Sequence, residues 1–428
     1  MKEINKHDLL LMIEKENPIL VDTRSTDAFI GWLVDGAKER GHIPNAISVS
    51  YKWFHHLEKL VLSKSMADFK KKMMDERIKS LFPVNAKIIL YDNNKQDHLV
   101  VYSYLHEVGY EDISYFNLNN WDEPLEYYPN FQNLVPAVWI KSLLDGEKPE
   151  FYDGQGFKIF ECSWGVEDIV FLGSHIPTST QIDSDEFEKA PIWVRRSNEE
   201  LYQFLEANGI SFDETIVLYS NGSDGAEYKL ALVLKYLGHK KIKVLNGGFP
   251  AWRIMGYPVE KGSVEKKKLK ECLADVALPK INSDIFINTE QAKEVLKNPD
   301  KCTLVDARTW EEYSAATSGY KHIVEVGRIP GAIWGGSYND YKNIDDTIRS
   351  QKEINTIIEK HGLTSSNKLY YFCGSAGWGA AQIMYYNELF GENNINVYEG
   401  GWSEWSSDPA NPTEDEMLTE ESMKGMSK

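Results

Sequence analysis

The 428-residue chain has only four cysteines, with no CxxC pair and no Cys/His spacing suited to a metal. That scarcity excludes a disulfide framework and offers no ligand set for structural zinc, so no metal or other cofactor is expected. No apolar run approaches the ~20 residues of a membrane helix, and the N-terminus carries only LLLMI between charged residues. Basic residues are also outnumbered: 47 Lys and Arg face 65 Asp and Glu, for a net charge of −18. Such a surface repels phosphate backbones, which argues against nucleic acid as a partner. The one basic run, Lys266 to Lys268 with Lys270, reads as a solvated linker. A cytoplasmic location is expected, or an exported one if a leader has been removed.

Hydrophobic content of 42% and charged content of 26% are those of a globular protein, and the length calls for two to four domains. Self-similarity then fixes the number. Three strand-like segments end in an acidic residue: ILVDTR (Ile19 to Arg24), KIFECSW (Lys158 to Trp164) and TLVDAR (Thr303 to Arg308). Each precedes an Ile-Pro turn, GHIPNA, GSHIPTS or GRIPGA. Each turn precedes a second strand, KIILYDN, TIVLYSN or KLYYFCG. A short strand then ends each unit in FNLNNW, VLNGGFPAW or VYEGGWSEW. Helical stretches that close on glycine follow the second strand, so each unit alternates β and α and predicts a parallel sheet. The units are placed at 1–130, 131–265 and 280–412, with an acidic tail, 413–428, that is expected to fray after Asp408.

Chemistry points to one loop. Cys162 and Cys302 lie in or beside apolar strands, where a thiol is inert filler, and Cys272 falls in the linker. Cys373 instead ends a strand and is followed by Gly374, Ser375, Ala376, Gly377, Trp378 and Gly379. In an open parallel sheet, ligands gather beyond the carboxyl ends of strands, facing helix N-termini. Small residues let the backbone curl around the sulfur with its N–H groups inward, an anion-binding nest expected to lower the thiol pKa. The same place in the other units holds Asp92 and Ser220, so one unit is armed and two are not.

Over nearly its whole length the chain resembles the rhodanese sulfurtransferases, whose domain has the VDxR strand, the GHIPGA turn, the cysteine loop and the GGxxxW ending. TSGYKHIVEVGRIPGAIWGG, CGSAGWG and EGGWSEWSSDPANP are similar to bacterial sulfurtransferases with three such domains, in which only the last keeps its cysteine. The resemblance implies an α/β fold of three tandem rhodanese-like domains, each a five-stranded parallel sheet flanked by helices on both faces. It also implies a persulfide on Cys373. The thiolate would take a sulfane sulfur from a small anionic donor, thiosulfate or 3-mercaptopyruvate, and pass it to a thiol or cyanide-like acceptor, or to a thioredoxin-like protein. Asp306 and Arg308 match VDxR, and Arg308 is expected to pair with Glu312 at the strand end. Trp334, Trp378 and Trp402 are candidate pocket walls.

The loop departs from thiosulfate-preferring relatives in having no Lys or Arg between Lys368 and Lys424. A cation for an anionic donor must come from elsewhere, and Arg308, Lys321, His322, Arg328, Arg195 and Arg196 are the candidates. A phosphatase of this fold needs an Arg six residues after the cysteine, and Gly379 stands there. The remaining alternative is a sulfur relay or scaffold that accepts persulfide sulfur from a partner protein.

Overall fold

The computed structural model describes residues 1–59, 64–165, 169–222, 225–269, 273, 277–364, 366–419 and 422. Cys272 and Lys270 therefore lie outside the described residues. The first unit forms β1 (Lys2–Ile4), β2 (Ile19–Asp22), β3 (Ile47–Ser48), β4 (Ile88–Asp92) and β5 (Ile113–Asn117). The second forms β6 (Leu134–Val135), β7 (Phe157–Ser163), β8 (Thr180–Asp183), a small hairpin of β9 (Glu188–Lys189) and β10 (Val194–Arg195), then β11 (Thr215–Tyr219) and β12 (Ile242–Leu245). The third forms β13 (Phe286–Ile287), β14 (Cys302–Asp306), β15 (Ile333–Trp334), β16 (Lys368–Phe372) and β17 (Ile395–Tyr398).

Three five-stranded sheets result, ordered β1-β5-β4-β2-β3, β6-β12-β11-β7-β8 and β13-β17-β16-β14-β15. All pairs within them are parallel, and the order is the same in each. The middle strands are continuous apolar runs because helices cover both faces; IILYD of β4 and TIVLY of β11 are buried throughout. The fold class read from the repeats is the one observed.

Helices Ala226–Tyr236 and Trp378–Leu389 follow β11 and β16 and are apolar nearly all round. A helix of that kind cannot face water, and these two pack on each other between the second and third units. The hydroxyls of Tyr228 and Tyr386 meet there at 3.1 Å. The first unit joins through Tyr128, whose ring lies 4.9 Å from Phe390, and through the buried Arg77–Glu353 pair. One apolar core thus runs through all three units.

Of the stretch expected to fray after Asp408, the part up to Leu418 is tied to the third unit; residues 420, 421 and 423–428 lie outside the described residues. Trp405 donates its indole N–H to the Pro412 carbonyl at 2.8 Å, Glu414 and Arg328 exchange both backbone hydrogen bonds, and Leu418 donates to the Ser314 carbonyl at 3.0 Å. Backbone pairing and the Arg328–Glu414 ion pair at 2.9 Å order this polar stretch without burying apolar side chains.

Candidate active site

Cys373 is the first residue beyond β16 and only 4% exposed. Ala376 (φ +59°) and Gly377 (φ +70°) are both left-handed, which closes the loop and starts helix Trp378–Leu389. The N–H groups of Gly379, Ser375 and Gly377 bond toward the sulfur, and the thiol donates to the Ser375 carbonyl at 3.2 Å. Three amides of the loop thus face the sulfur, but the lowered thiol pKa expected of them does not follow: burial pushes the Cys373 thiol above its ordinary value, and the N–H groups only partly offset that. The sequence reveals the donors but not the depth of the sulfur.

Two further contacts shape the loop. Gly374 has no side chain because the Tyr320 ring occupies the space a Cβ would need. Behind the loop, the amides of Trp402 and Ser403 hold the carbonyls of Cys373 and Gly374, at 3.0 and 2.8 Å.

The sulfur borders a cavity of about 410 Å³ between the second and third units. Trp164 and Trp193 come from the second unit; Tyr320, His322, Tyr338 and Trp378 come from the third, with Ser375, Ala376 and Gly379 of the loop. Of the candidate cations only His322 reaches it. Arg308 is 1% exposed, grips Asp306 with two nitrogens, donates to the Gly327 carbonyl at 2.8 Å and lies over the Trp402 ring. Its partner is Asp306 and not Glu312, which caps Thr309 instead, because Asp306 is two residues away on the same strand end. Arg24 repeats this grip on Asp22 and the Gly41 carbonyl in the first unit. Arg328 is buried against Glu414, Arg196 holds Glu200 and the Asp185 carbonyl, and Lys321 is exposed outside the cavity lining. Arg195 does cross the interface, to Glu399 at 2.5 Å and not to the cavity. Trp334 donates to the Arg308 carbonyl and Trp402 is fully buried; neither walls the cavity, whereas Trp378 does.

Sequence reasoning missed Trp164, Trp193, Tyr320 and Tyr338. Trp164 was visible as the residue after the β7 strand end. Trp193 and Tyr320 sit in turns or bends and Tyr338 opens a short 3-10 helix, so no strand pattern marks them in the sequence. A second cavity of about 330 Å³, where all three units meet, is lined by Asp27, Lys52 and Asp345 and includes no cysteine among its described residues.

A sheet of this order, with a cysteine at the tip of its middle strand and loop amides around the sulfur, is the setting of a cysteine nucleophile. The rhodanese-like domain model matches residues 5–120, 137–255 and 290–408, and the chain belongs to that family. It is a sulfurtransferase of the rhodanese type. It is 32% identical over 418 residues to the thiosulfate sulfurtransferase YnjE of Escherichia coli, covering 96% of this chain and 92% of YnjE. The crystal structure of YnjE superposes with a TM-score of 0.84 at 30% identity over 99% of this chain and 98% of YnjE. The anaerobic ergothioneine biosynthesis enzyme of Chlorobium limicola, solved with its natural substrate trimethyl histidine, superposes with a TM-score of 0.85 at 30% identity, over 97% of this chain and all of that one.

Proposed function

We propose that Cys373 carries the persulfide and that the donor is a small anion, thiosulfate or 3-mercaptopyruvate. The observation that carries this reading is the convergence of the Gly379, Ser375 and Gly377 N–H groups on a sulfur that borders a cavity. The Cys373 thiolate attacks the outer sulfur of thiosulfate; the new S–S bond forms as the old one breaks and sulfite leaves with its electron pair. With 3-mercaptopyruvate the C–S bond breaks and the pyruvate enolate takes a proton. A nucleophilic acceptor such as cyanide then removes the outer sulfur and returns the thiolate. Inward amides stabilise the anionic sulfur in each state without reorganising, since the turn already fixes them.

The test is incubation with thiosulfate or 3-mercaptopyruvate, with and without cyanide, following thiocyanate and the intact mass. One added sulfur on the wild type, none on Cys373→Ser, and thiocyanate release support the reading. A wild type that gains sulfur only from a protein donor makes the chain a relay.

A second reading of the acceptor follows from the walls. Trp164, Trp193, Trp378, Tyr320 and Tyr338 surround the sulfur and no Lys or Arg is among the described lining residues. Ring faces attract a quaternary ammonium, which has no hydrogen to donate and is cheap to desolvate. A betaine such as trimethyl histidine, the substrate of the Chlorobium enzyme, suits this wall. The persulfide would give its outer sulfur to the imidazole ring carbon, whose proton passes to the sulfur left on Cys373. Persulfide-loaded protein incubated with trimethyl histidine should then yield the thiolated product by mass; unchanged substrate rejects this acceptor.

A further inference from the structure

The second unit, which has Ser220 where the third has Cys373, touches the Cys373 loop at several points. Ser375 donates its hydroxyl to the Ile192 carbonyl at 3.3 Å, and Trp378 donates its indole N–H to Glu188 Oε2 at 3.0 Å. Glu188, on β9, is 0% exposed, and its Oε1 accepts no hydrogen bond. Facing that oxygen at 3.7 Å is Lys229 Nζ, from the helix Ala226–Tyr236 and also 0% exposed. The same ammonium lies 3.4 Å from Glu399 Oε2, while Arg195 holds Glu399 Oε1 at 2.5 Å. Glu399 directly precedes Gly400 and Gly401, the turn that leads into the amides gripping Cys373 and Gly374.

Two acidic and two basic side chains therefore meet in a largely buried interface behind the loop. A buried charge in such a setting is tolerated only while its partners stay in place. Burial raises the Glu188 carboxyl to about 8, the negative fields of Glu399 and Asp185 push the same way, and Lys229 and the Trp378 N–H oppose them.

We infer that Glu188 and Lys229 are positioning residues for sulfur transfer at Cys373. Glu188 sets the Trp378 wall directly, and Lys229 fixes both Glu188 and Glu399, through which it sets the turn that holds the Cys373 carbonyl. This inference rests on Cys373 being the sulfur carrier. Its physical basis is that a displacement of about 1 Å at reacting atoms slows a reaction by up to ~100-fold.

The experiment measures, in the full chain, the alkylation rate of Cys373 by iodoacetamide, which needs no sulfur donor, together with kcat and KM for thiosulfate-to-cyanide transfer. Lys229→Met should slow alkylation and kcat by about 10- to 100-fold, with Lys229→Arg recovering most of the loss. Glu188→Ala and Trp378→Phe should show the same fall in kcat, with no further fall in the double variant, and Glu188→Gln should fall less than Glu188→Ala. Trp378→Phe keeps an aromatic ring at the wall and removes the indole N–H, so it tests the contact even if Lys229→Met does not fold. Folded Glu188→Ala and Trp378→Phe proteins with wild-type alkylation and kcat, or additive losses in the pair, overturn the inference. A wild type inactive with every small donor defeats the donor assignment alone, and the alkylation rates still decide this one.

Discussion

The backbone amide of Trp402 donates to the carbonyl of Cys373 at 3.0 Å. The contact is possible because Gly401 (φ +58°) lies against that carbonyl, where a Cβ would collide with the oxygen. Gly401→Ala is therefore expected to cost about 1–3 kcal/mol of stability and to lower sulfur transfer, since the loop must shift to relieve the clash. Urea unfolding together with the transfer rate checks both; an unchanged rate would separate the GGxxxW turn from the chemistry.

The buried Cys373 sulfur has its thiol pKa raised, and attack requires the thiolate. Because the reactive fraction grows as the proton leaves, alkylation of the resting enzyme should keep rising beyond ~8.5, the value of a free thiol. A rate already at its plateau near neutral pH would show that the amides outweigh burial.

Cys162 is 1% exposed and its thiol is pushed well up by burial and by Glu161, so it is an inert part of the core. Cys162→Ala should keep transfer and still acquire one sulfur by intact mass, whereas Cys373→Ser should lose both. A sulfur adduct that persists in Cys373→Ser would move the chemistry to another thiol.

Arg308 is buried on Asp306 and does not line the cavity beside Cys373. Arg308→Met leaves the Asp306 carboxylate uncompensated and should destabilise the chain by about 3–5 kcal/mol, with KM for thiosulfate unchanged in the protein that remains folded. A selective rise in KM at wild-type stability would restore Arg308 as a substrate contact.

Trp193 brings an aromatic wall from the second unit, with its ring 4.9 Å from that of His322. Trp193→Ala should raise KM for a trimethylammonium acceptor about 2- to 30-fold and leave thiosulfate loading of Cys373 near wild type. Equal effects on both substrates would assign Trp193 to general packing.

The sequence by itself determined the triplication, the parallel α/β units, the VDxR strand ends and the Cys373 loop, because these depend on local signals: apolar strands, small residues in a turn and recurring spacing. The cations were misread for a physical reason. A guanidinium's partner depends on where its side chain is buried, and Arg308, Arg328 and Arg195 each found a carboxylate before they could reach a pocket. Only the tertiary structure decided the depth of the sulfur, and with it the direction of the thiol's shift, since desolvation is set by what packs over a loop and not by the loop's own residues. It also decided the aromatic wall: Trp164 and Trp193 stand about two hundred residues before Cys373 in the chain, and they meet it because two helices buried nearly all round dock the second unit against the third.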